Sequence, residues 1–201
     1  MSESLTDTDA TRTIYRGRKI DLALKTIRLA DGSESTREVV LHRGAVALVP
    51  FIDRDHICLV KNYRYTVDRE LLEVPAGTID PDESPDETAI RELREETGYD
   101  ARSVRRIADW FVSPGVMNER MYLYVCEDLT PGETEHQPDE RLTPVILPWE
   151  DAVRRVLTGE IVDAKTIVAI LLIDRARSRE FGSAGEPAPR RGEERRIFEN
   201  D

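Results

Sequence analysis

The sequence predicts an α+β fold, a sandwich of mixed strands with helices inserted between them. Three observations support this prediction. Apolar, strand-like runs fill the chain before residue 75, a strongly capped helix follows at 85–97, and strand patterns resume over 104–147. Two segments with helical spacing, at 149–157 and 164–176, come last. Strands combined in this way with a few helices are typical of layered α+β domains.

The first half of the chain is predicted to be a series of strands. Residues 14–29 and 37–42 are strand-like and are separated by a hairpin-type turn at 30–33. Residues 44–51 and 56–63 are apolar runs split by a short turn, which predicts a second hairpin. The remaining strands are predicted at residues 71–74, 104–112, 120–127 and 143–147.

The helix at 85–97 has signals at both of its ends. Ser84 is an N-cap residue, Pro85 occupies the first helical position, and Glu87 completes a capping box. Gly98 supplies the left-handed residue that ends the helix. The spacing of three and four predicts one buried face, made of Ala89, Ile90, Leu93 and Thr97.

The same helix carries a cluster of carboxylates at Glu92, Glu95 and Glu96. Residues three and four apart are neighbours on a helix, so these charges repel one another. A hard divalent cation bound by oxygen ligands would remove that repulsion. The alternative interpretation is a solvated acidic helix with Arg91 and Arg94 as counterions.

Composition indicates one soluble domain with polar tails. The chain has 201 residues, 39% hydrophobic and 34% charged, which is enough for a single core. The net charge of -11 argues against binding to nucleic acid or a membrane surface, and no apolar run is long enough to span a membrane. Cys58 and Cys126 lie in apolar runs and are interpreted as reduced core residues, which favours the cytoplasm. The terminal segments 1–11 and 177–201 are predicted to be disordered.

Residues 77–99 combine the carboxylates with a set of fixed spacings. The fixed positions are Gly77, Glu83, Arg91, Glu92, Leu93, Glu95, Glu96 and Gly98, followed by Tyr99 at a site that is usually aliphatic. This pattern resembles the Nudix box, the signature of hydrolases that cleave nucleoside diphosphates linked to another moiety. The resemblance covers roughly residues 12–176.

The resemblance implies the Nudix α/β/α sandwich with a mixed sheet over residues 44–176, preceded by an antiparallel β extension over 12–43. Similar N-terminal strands in the ADP-ribose pyrophosphatase branch cross to the partner subunit, so a homodimer is implied. Arg37 and Glu38 resemble paired residues that this branch places near the adenine and pyrophosphate, and Tyr15 is the nearest candidate to stack on adenine. The alternative interpretation, on sequence alone, is that Arg37 and Glu38 are charged residues of an edge strand and that Tyr15 is a surface tyrosine.

Two signals outside the box also resemble this branch. Pro114, in a Ser-Pro-Gly turn, lies fifteen positions beyond Tyr99, and Glu119 follows shortly after. Arg64 lies upstream of the segment 70–77. An arginine just upstream of a diphosphate site can make bidentate contacts with phosphate oxygens. The alternatives are an ordinary turn between two strands and a solvated arginine at a strand end.

Hydrolysis of a pyrophosphate linkage requires charge neutralisation and an aligned water that loses a proton. Magnesium meets the first requirement, with manganese as a substitute. Glu92 and Glu96, four residues apart, are the predicted metal ligands, and Glu95 is a further ligand or an orienting group. By resemblance, the backbone carbonyl of Ala76 is another ligand.

The resemblance places the general base in an acidic loop between the later strands, here residues 131–141. Glu140 is the preferred candidate because it lies closest to the start of the following strand. Glu135 and Asp139 remain open, and each of the three is otherwise a solvated carboxylate.

Together these features predict a magnesium-dependent hydrolase of nucleoside diphosphate sugars, with ADP-ribose as the substrate and AMP and ribose 5-phosphate as products. The first alternative keeps the chemistry and changes the substrate to GDP-mannose or UDP-glucose. The segment 163–166, Asp-Ala-Lys-Thr, is compatible with either substrate. The second alternative is a non-catalytic Nudix domain that senses ADP-ribose. Such domains often lose box glutamates, whereas Glu92, Glu95 and Glu96 are all present here.

Overall fold

The computed structural model describes residues 10–134 and 142–182, and these residues form ten strands and three helices. The strands are β1 Thr11–Arg16, β2 Ile20–Arg28, β3 Glu34–His42, β4 Ala45–Pro50, β5 His56–Arg64, β6 Arg69–Glu73, β7 Ala76–Thr78, β8 Tyr99–Phe111, β9 Arg120–Pro131 and β10 Leu142–Pro148. The helices are α1 Pro85–Thr97, α2 Trp149–Leu157 and α3 Ala164–Gly182. Three sheets result, ordered β1-β2-β3, β10-β5-β6 and β7-β4-β9-β8.

Strand β4 is the centre of the mixed sheet, because it pairs antiparallel with β7 and parallel with β9. All six of its residues are buried. Successive side chains of a strand point to opposite faces, so β4 contributes to two cores. Ala45, Ala47 and Val49 belong to one core, and Val46 and Leu48 belong to the other.

Helices cover the two faces of this sheet. Helix α1 packs on one face through Ala89 and Leu93, which lie in the core that contains Val46 and Leu48. Helices α2 and α3, together with β5, fill the core on the opposite face. The predicted α/β/α sandwich with a mixed sheet is therefore confirmed.

The hairpin predicted between residues 44–51 and 56–63 is wrong. Phe51 and Ile57 form one isolated antiparallel bridge, and beyond it the two strands diverge into different sheets. Both edges of β4 are already occupied by β7 and β9, so β5 pairs with β6 and β10 instead.

The first predicted strand, residues 14–29, is in fact an antiparallel pair. Strands β1 and β2 are separated at Gly17, whose N–H donates to the carbonyl of Ile20 (2.9 Å) and to the carboxylate of Asp21 (3.3 Å). Strands β2 and β3 form the predicted hairpin, with its turn closed around Gly32. The resulting three-stranded sheet is the predicted N-terminal extension, and residues 1–9 before it lie outside the described residues.

The extension is attached to the body by the loop between β8 and β9. The backbone N–H of Val40 on β3 donates to the carbonyl of Val116 (2.9 Å), and the N–H of Asn118 donates to the carbonyl of Val40 (3.3 Å). The Asn118 side chain accepts from the N–H of His42 (2.7 Å). The end of β3 and the loop that carries Pro114 therefore form one continuous structure.

The C-terminal boundary, the two cysteines and the helix lengths can also be compared with the sequence. Helix α3 extends to Gly182, so the expected disorder boundary at residue 177 falls inside a helix, and residues 183–201 lie outside the described residues. Cys58 and Cys126 are free and buried, as predicted, and burial raises the pKa of the Cys58 thiol to about 11. Among the described residues, no helix is both long and apolar enough to cross a membrane.

Candidate active site

Helix α1 begins and ends as its sequence predicts. The Ser84 side chain accepts from the N–H of Glu87, and the Glu87 carboxylate accepts from the N–H of Ser84 (2.8 Å), so both halves of the capping box are present. Hydrogen bonds from Ser84 hold the pKa of Glu87 below its usual value. At the other end, Gly98 adopts the left-handed conformation with φ of 72°.

The buried face of α1 matches the predicted one in part. Ile90 is 57% exposed, so its predicted burial is wrong. Ala89 and Leu93 are buried, and the face extends instead to Glu92 and Glu96, which are 8% and 5% exposed. Burying an ionised carboxylate is unfavourable unless cations or hydrogen-bond donors surround it. The two glutamates therefore need specific partners.

Arg91 is one of these partners. Its guanidinium donates through Nε and one terminal nitrogen to Glu83 (2.8 and 2.9 Å), and through the other terminal nitrogen to Glu92 (2.8 Å) and Glu95 (3.0 Å). These contacts raise the pKa of Arg91, chiefly through the hydrogen bonds to Glu83, and Arg91 in turn lowers the pKa of Glu83. One side chain thus fixes the positions of three box carboxylates.

Strand β7 provides the second set of contacts. The backbone N–H of Ala76 donates to the Glu96 carboxylate (2.9 Å). A Cβ atom on Gly77 would lie 1.9 Å from Cδ of Glu92, so only glycine leaves room for that carboxylate. The fixed glycine of the box is explained here by close approach and not by an unusual φ angle.

A cavity of about 590 Å³ opens in front of these groups. Arg91, Glu92 and Glu96 line it from α1, and Ala76, Gly77 and Thr78 line it from β7. Among the described residues, six cationic side chains and four carboxylates line this cavity, although the chain as a whole carries a net charge of -11. The cationic side chains are Arg18, Lys19, Arg43, Arg64, Arg91 and Lys165. A cavity of this kind favours an anionic ligand.

The chemistry of the acidic side chains fits a hard divalent cation. Glu92 and Glu96 line the cavity with carboxylate oxygens, and the missing side chain of Gly77 leaves space beside them. Within residues 10–134 and 142–182, no three acidic, histidine or cysteine side chains already converge as a preformed metal site. Glu95 lines a neighbouring groove, which Arg91 also lines, and does not line the cavity.

Arg64 lines the cavity, but its guanidinium is already held by a carboxylate. Nε donates to Glu73 (2.8 Å), and a terminal nitrogen donates to the second oxygen of the same carboxylate. The Glu73 side chain is 1% exposed, whereas that of Arg64 is 39% exposed. The hydrogen bonds to Glu73 raise the pKa of Arg64.

The other predicted substrate-binding residues have different locations. Glu119 lines the cavity and lies 3.8 Å from Nδ1 of His42. Tyr15, Arg37 and Glu38 are exposed on the N-terminal sheet and do not line the cavity of their own chain. Pro114 is exposed in the loop after β8, also outside the cavity lining.

The predicted general base, Glu140, lies outside the described residues, as do its alternatives Glu135 and Asp139. Before this segment the chain is described up to Thr134, which lies close to Gly98 at the C-terminal end of α1.

The NUDIX domain family matches residues 41–170, which is more than half of the chain. The chain belongs to the Nudix family. The sequence-based prediction of a Nudix hydrolase that acts on pyrophosphate bonds is confirmed.

Similar proteins support the Nudix assignment over most of the chain. An ADP-ribose pyrophosphatase of Bacillus subtilis is 38% identical over 165 residues, covering 81% of this chain and 89% of that protein. An ADP-ribose pyrophosphatase of Mycobacterium tuberculosis is 38% identical over 176 residues, covering 86% and 85%. The crystal structure of an ADP compounds hydrolase superposes with a TM-score of 0.75 at 26% identity, covering 89% of this chain and 98% of that one.

Several cavity residues of this Nudix domain were not predicted from sequence. They are Arg18, Lys19, Arg43, Tyr65 and Lys165. Glu73, which does not line the cavity but accepts hydrogen bonds from Arg64 and Lys165, was also not predicted. For Glu73 the signal was present, since it is a charged residue inside the short strand predicted at 71–74, shortly before the box. Lys165 belongs to the Asp-Ala-Lys-Thr segment at 163–166, which is compatible with either substrate and by itself predicts no binding role. Arg18 and Lys19 lay in a segment interpreted as continuous strand, which concealed the turn that carries them.

Proposed function

We propose that this chain hydrolyses the diphosphate linkage of ADP-ribose, with magnesium, to give AMP and ribose 5-phosphate. One observation carries the proposal. Two buried carboxylates, Glu92 and Glu96, share a cavity with cationic groups of the kind that bind phosphate oxygens. The names of the two relatives that are 38% identical support the choice of ADP-ribose.

Glu92 and Glu96 would hold the magnesium ion, with the carbonyl of Ala76 as a backbone ligand and Glu95 as a further ligand or orienting group. Manganese is the proposed substitute, because it accepts the same oxygen ligands. When bound, the ion supplies positive charge that stabilises the charge developing on the diphosphate oxygens. The protein's part is to hold its carboxylates in place, which Arg91 and the N–H of Ala76 do through the hydrogen bonds described above.

The remaining steps belong to the chain's own side chains. Arg64 binds and orients the diphosphate at the mouth of the cavity. Glu140 accepts a proton from the attacking water, with Glu135 and Asp139 as the alternatives. The water oxygen forms a bond to one phosphorus, the bridging P–O bond breaks, and the two phosphates separate.

The proposed enzyme is a homodimer that works in the cytoplasm. The three-stranded extension would place Arg37, Glu38 and Tyr15 at the partner's site, near the adenine and pyrophosphate. Their exposure on a separate sheet, away from the cavity of their own chain, is compatible with that arrangement. Pro114 and Glu119 would bind substrate from the loop after β8.

A panel of nucleotide sugars tests this proposal. The purified chain is incubated with ADP-ribose, GDP-mannose and UDP-glucose, with magnesium, with manganese or with excess chelator, and the products are identified by mass spectrometry. We expect ADP-ribose to give AMP and ribose 5-phosphate and to have the highest kcat/KM of the three substrates. No product should form in excess chelator.

Two results would contradict the proposal in different ways. A higher kcat/KM for GDP-mannose or UDP-glucose would change the substrate and keep the chemistry. Tight binding of ADP-ribose without turnover in either metal would instead indicate a sensing domain.

A further inference from the structure

The buried carboxylate of Glu73 contacts two cations from distant parts of the chain. Besides its two hydrogen bonds from Arg64, it accepts a third from Nζ of Lys165, which is 92 positions away in sequence. The Glu73 side chain is 1% exposed and that of Lys165 is 12% exposed. A carboxylate buried this deeply is retained only with such partners, because an unpaired charge would be very costly there.

The start of α3 is fixed to the strand that leads into the Nudix box. The N–H of Val74 donates to Oγ1 of Thr166 (2.9 Å), and the N–H of Thr166 donates to the Asp163 carboxylate (3.0 Å). Asp163 also lies 3.0 Å from Nζ of Lys165. Lys165 is therefore held by two carboxylates at the first turn of a helix whose position is set by hydrogen bonds.

Both cations face the proposed diphosphate site. Arg64 and Lys165 line the same cavity as Glu92 and Glu96, and Arg64 uses only Nε and one terminal nitrogen to contact Glu73. The other terminal nitrogen of the guanidinium is not needed for that pair, so it can donate to a phosphate oxygen. A lysine ammonium has three donors, of which the contacts to Glu73 and Asp163 use two.

We propose that Arg64 and Lys165 form one cationic bracket that binds the substrate diphosphate, and that Glu73 is the positioning residue that holds both cations. This inference rests on the proposed function and extends it by naming Lys165 as a substrate-binding residue and Glu73 as its support. The bracket joins the end of β5, which carries Arg64, to the first turn of α3, which carries Lys165, so two separate elements contact one diphosphate group.

Substitution of Lys165 tests the substrate-binding role. K165M removes the charge and keeps the length of the side chain, K165R keeps the charge, and K61M is the matched control. Lys61 also pairs with a glutamate, Glu70 (3.6 Å), but both side chains are at least half exposed and neither lines the cavity. Calorimetry on the full chain measures binding of ADP-ribose in chelator, where no turnover occurs, and separately of inorganic pyrophosphate.

We expect K165M to bind both probes about tenfold more weakly, the order expected for one charge-assisted hydrogen bond. K165R and K61M should bind within about threefold of the wild type. A folded K165M that binds pyrophosphate within twofold of the wild type would overturn the bracket. If the wild type binds pyrophosphate but not ADP-ribose, ADP-ribose is not the substrate. The affinity of K165M for pyrophosphate then still tests the bracket.

Substitution of Glu73 tests the positioning role. E73D keeps the charge but is one methylene shorter, so it cannot reach both cations in their present places. We expect KM for ADP-ribose to rise at least about tenfold while kcat changes less than about threefold, because the bracket contacts ground state and transition state alike. A purely structural role would lower the melting temperature and leave KM of the folded enzyme unchanged, and that result would overturn the assignment of Glu73. Thermal melting of each variant identifies the folded fraction.

Discussion

At the scale of single residues, the site depends on how closely backbone and side chains approach each other. The Glu92 carboxylate packs so closely against Gly77 that a Cβ atom at position 77 would overlap with it. Arg91 joins Glu92 and Glu95 on helix α1 to Glu83 in the loop just before it, so that one guanidinium compensates three neighbouring carboxylates. The positions of the box carboxylates are therefore set before any ligand arrives.

Substitution of Gly77 by alanine should reduce turnover with little loss of fold. The added methyl group would force the Glu92 carboxylate out of its place, because the ideal Cβ position lies 1.9 Å from its Cδ atom. We expect kcat to fall on the order of 10²-fold, as for a misplaced catalytic group. Gly115→Ala is the control, since its Cβ meets nothing within 4 Å. Equal kcat values for the two variants would contradict this explanation of Gly77.

Glu96→Gln should fold normally and lose most hydrolysis. The amide oxygen can still accept from the N–H of Ala76, while the charge that would bind the metal is gone. We expect a loss on the order of 10³-fold in kcat at saturating magnesium. The exposed Glu127→Gln serves as control. A folded Glu96→Gln enzyme with near-normal turnover would remove the metal role from Glu96.

These residues also indicate how far a sequence can predict a site. Glu92 and Glu96 were predicted because their spacing along one helix is a local property, and helix neighbours follow from residue numbers. Glu73 and Lys165 were missed because their contact spans 92 positions and depends on how α3 docks beside β6. Ile90 was wrongly expected to be buried, since one residue along a helix turns the side chain by about 100°.

At the scale of elements, the sequence predicted where helix α1 begins and ends better than it predicted which strands pair with each other. The capping box and Gly98 delimit α1 because capping is a local hydrogen-bonding requirement. The turn between β4 and β5 was recognised, but not that β4 already has a partner on each edge. Strand pairing is decided by distant segments, and no local pattern encodes it.

The acidic loop at 131–141 is the element whose role is most directly tested by mutation. If Glu140 accepts the proton of the attacking water, Glu140→Gln should lower kcat by about 10²–10⁴-fold and leave KM within a few-fold. Glu135→Gln and Asp139→Asn, made in parallel, are the matched comparisons. A large loss in Glu135→Gln and almost none in Glu140→Gln would move the assignment to Glu135. Losses below about tenfold in all three would show that this loop supplies no base.

At the scale of the whole molecule, a homodimer can be tested by mixing two inactive variants. Glu96→Gln disables its own site, and a variant with Arg37 and Glu38 both changed to alanine should disable the partner's site. A mixed dimer then contains one site with all residues intact, so activity should return after the two proteins exchange subunits. Light scattering should give the mass of a dimer. Activity of the mixture no greater than the sum of its parts, or a fully active monomer, would contradict the prediction.

The parallel pairing of β4 with β9 has a consequence for how the chain folds during synthesis. Ala45 lies opposite Met121, more than a third of the chain later. Strands β1, β2 and β3, in contrast, pair with one another, and their one strand-type contact with the later chain among the described residues is the isolated bridge between Val40 and Met117. The N-terminal sheet can therefore form on the ribosome while β4 still lacks its parallel partner. Long-range pairing of this kind closes a large loop and is slow. We expect the most buried strand of the protein to be among the last to acquire its final neighbours, and its exposed apolar edge to need protection until then.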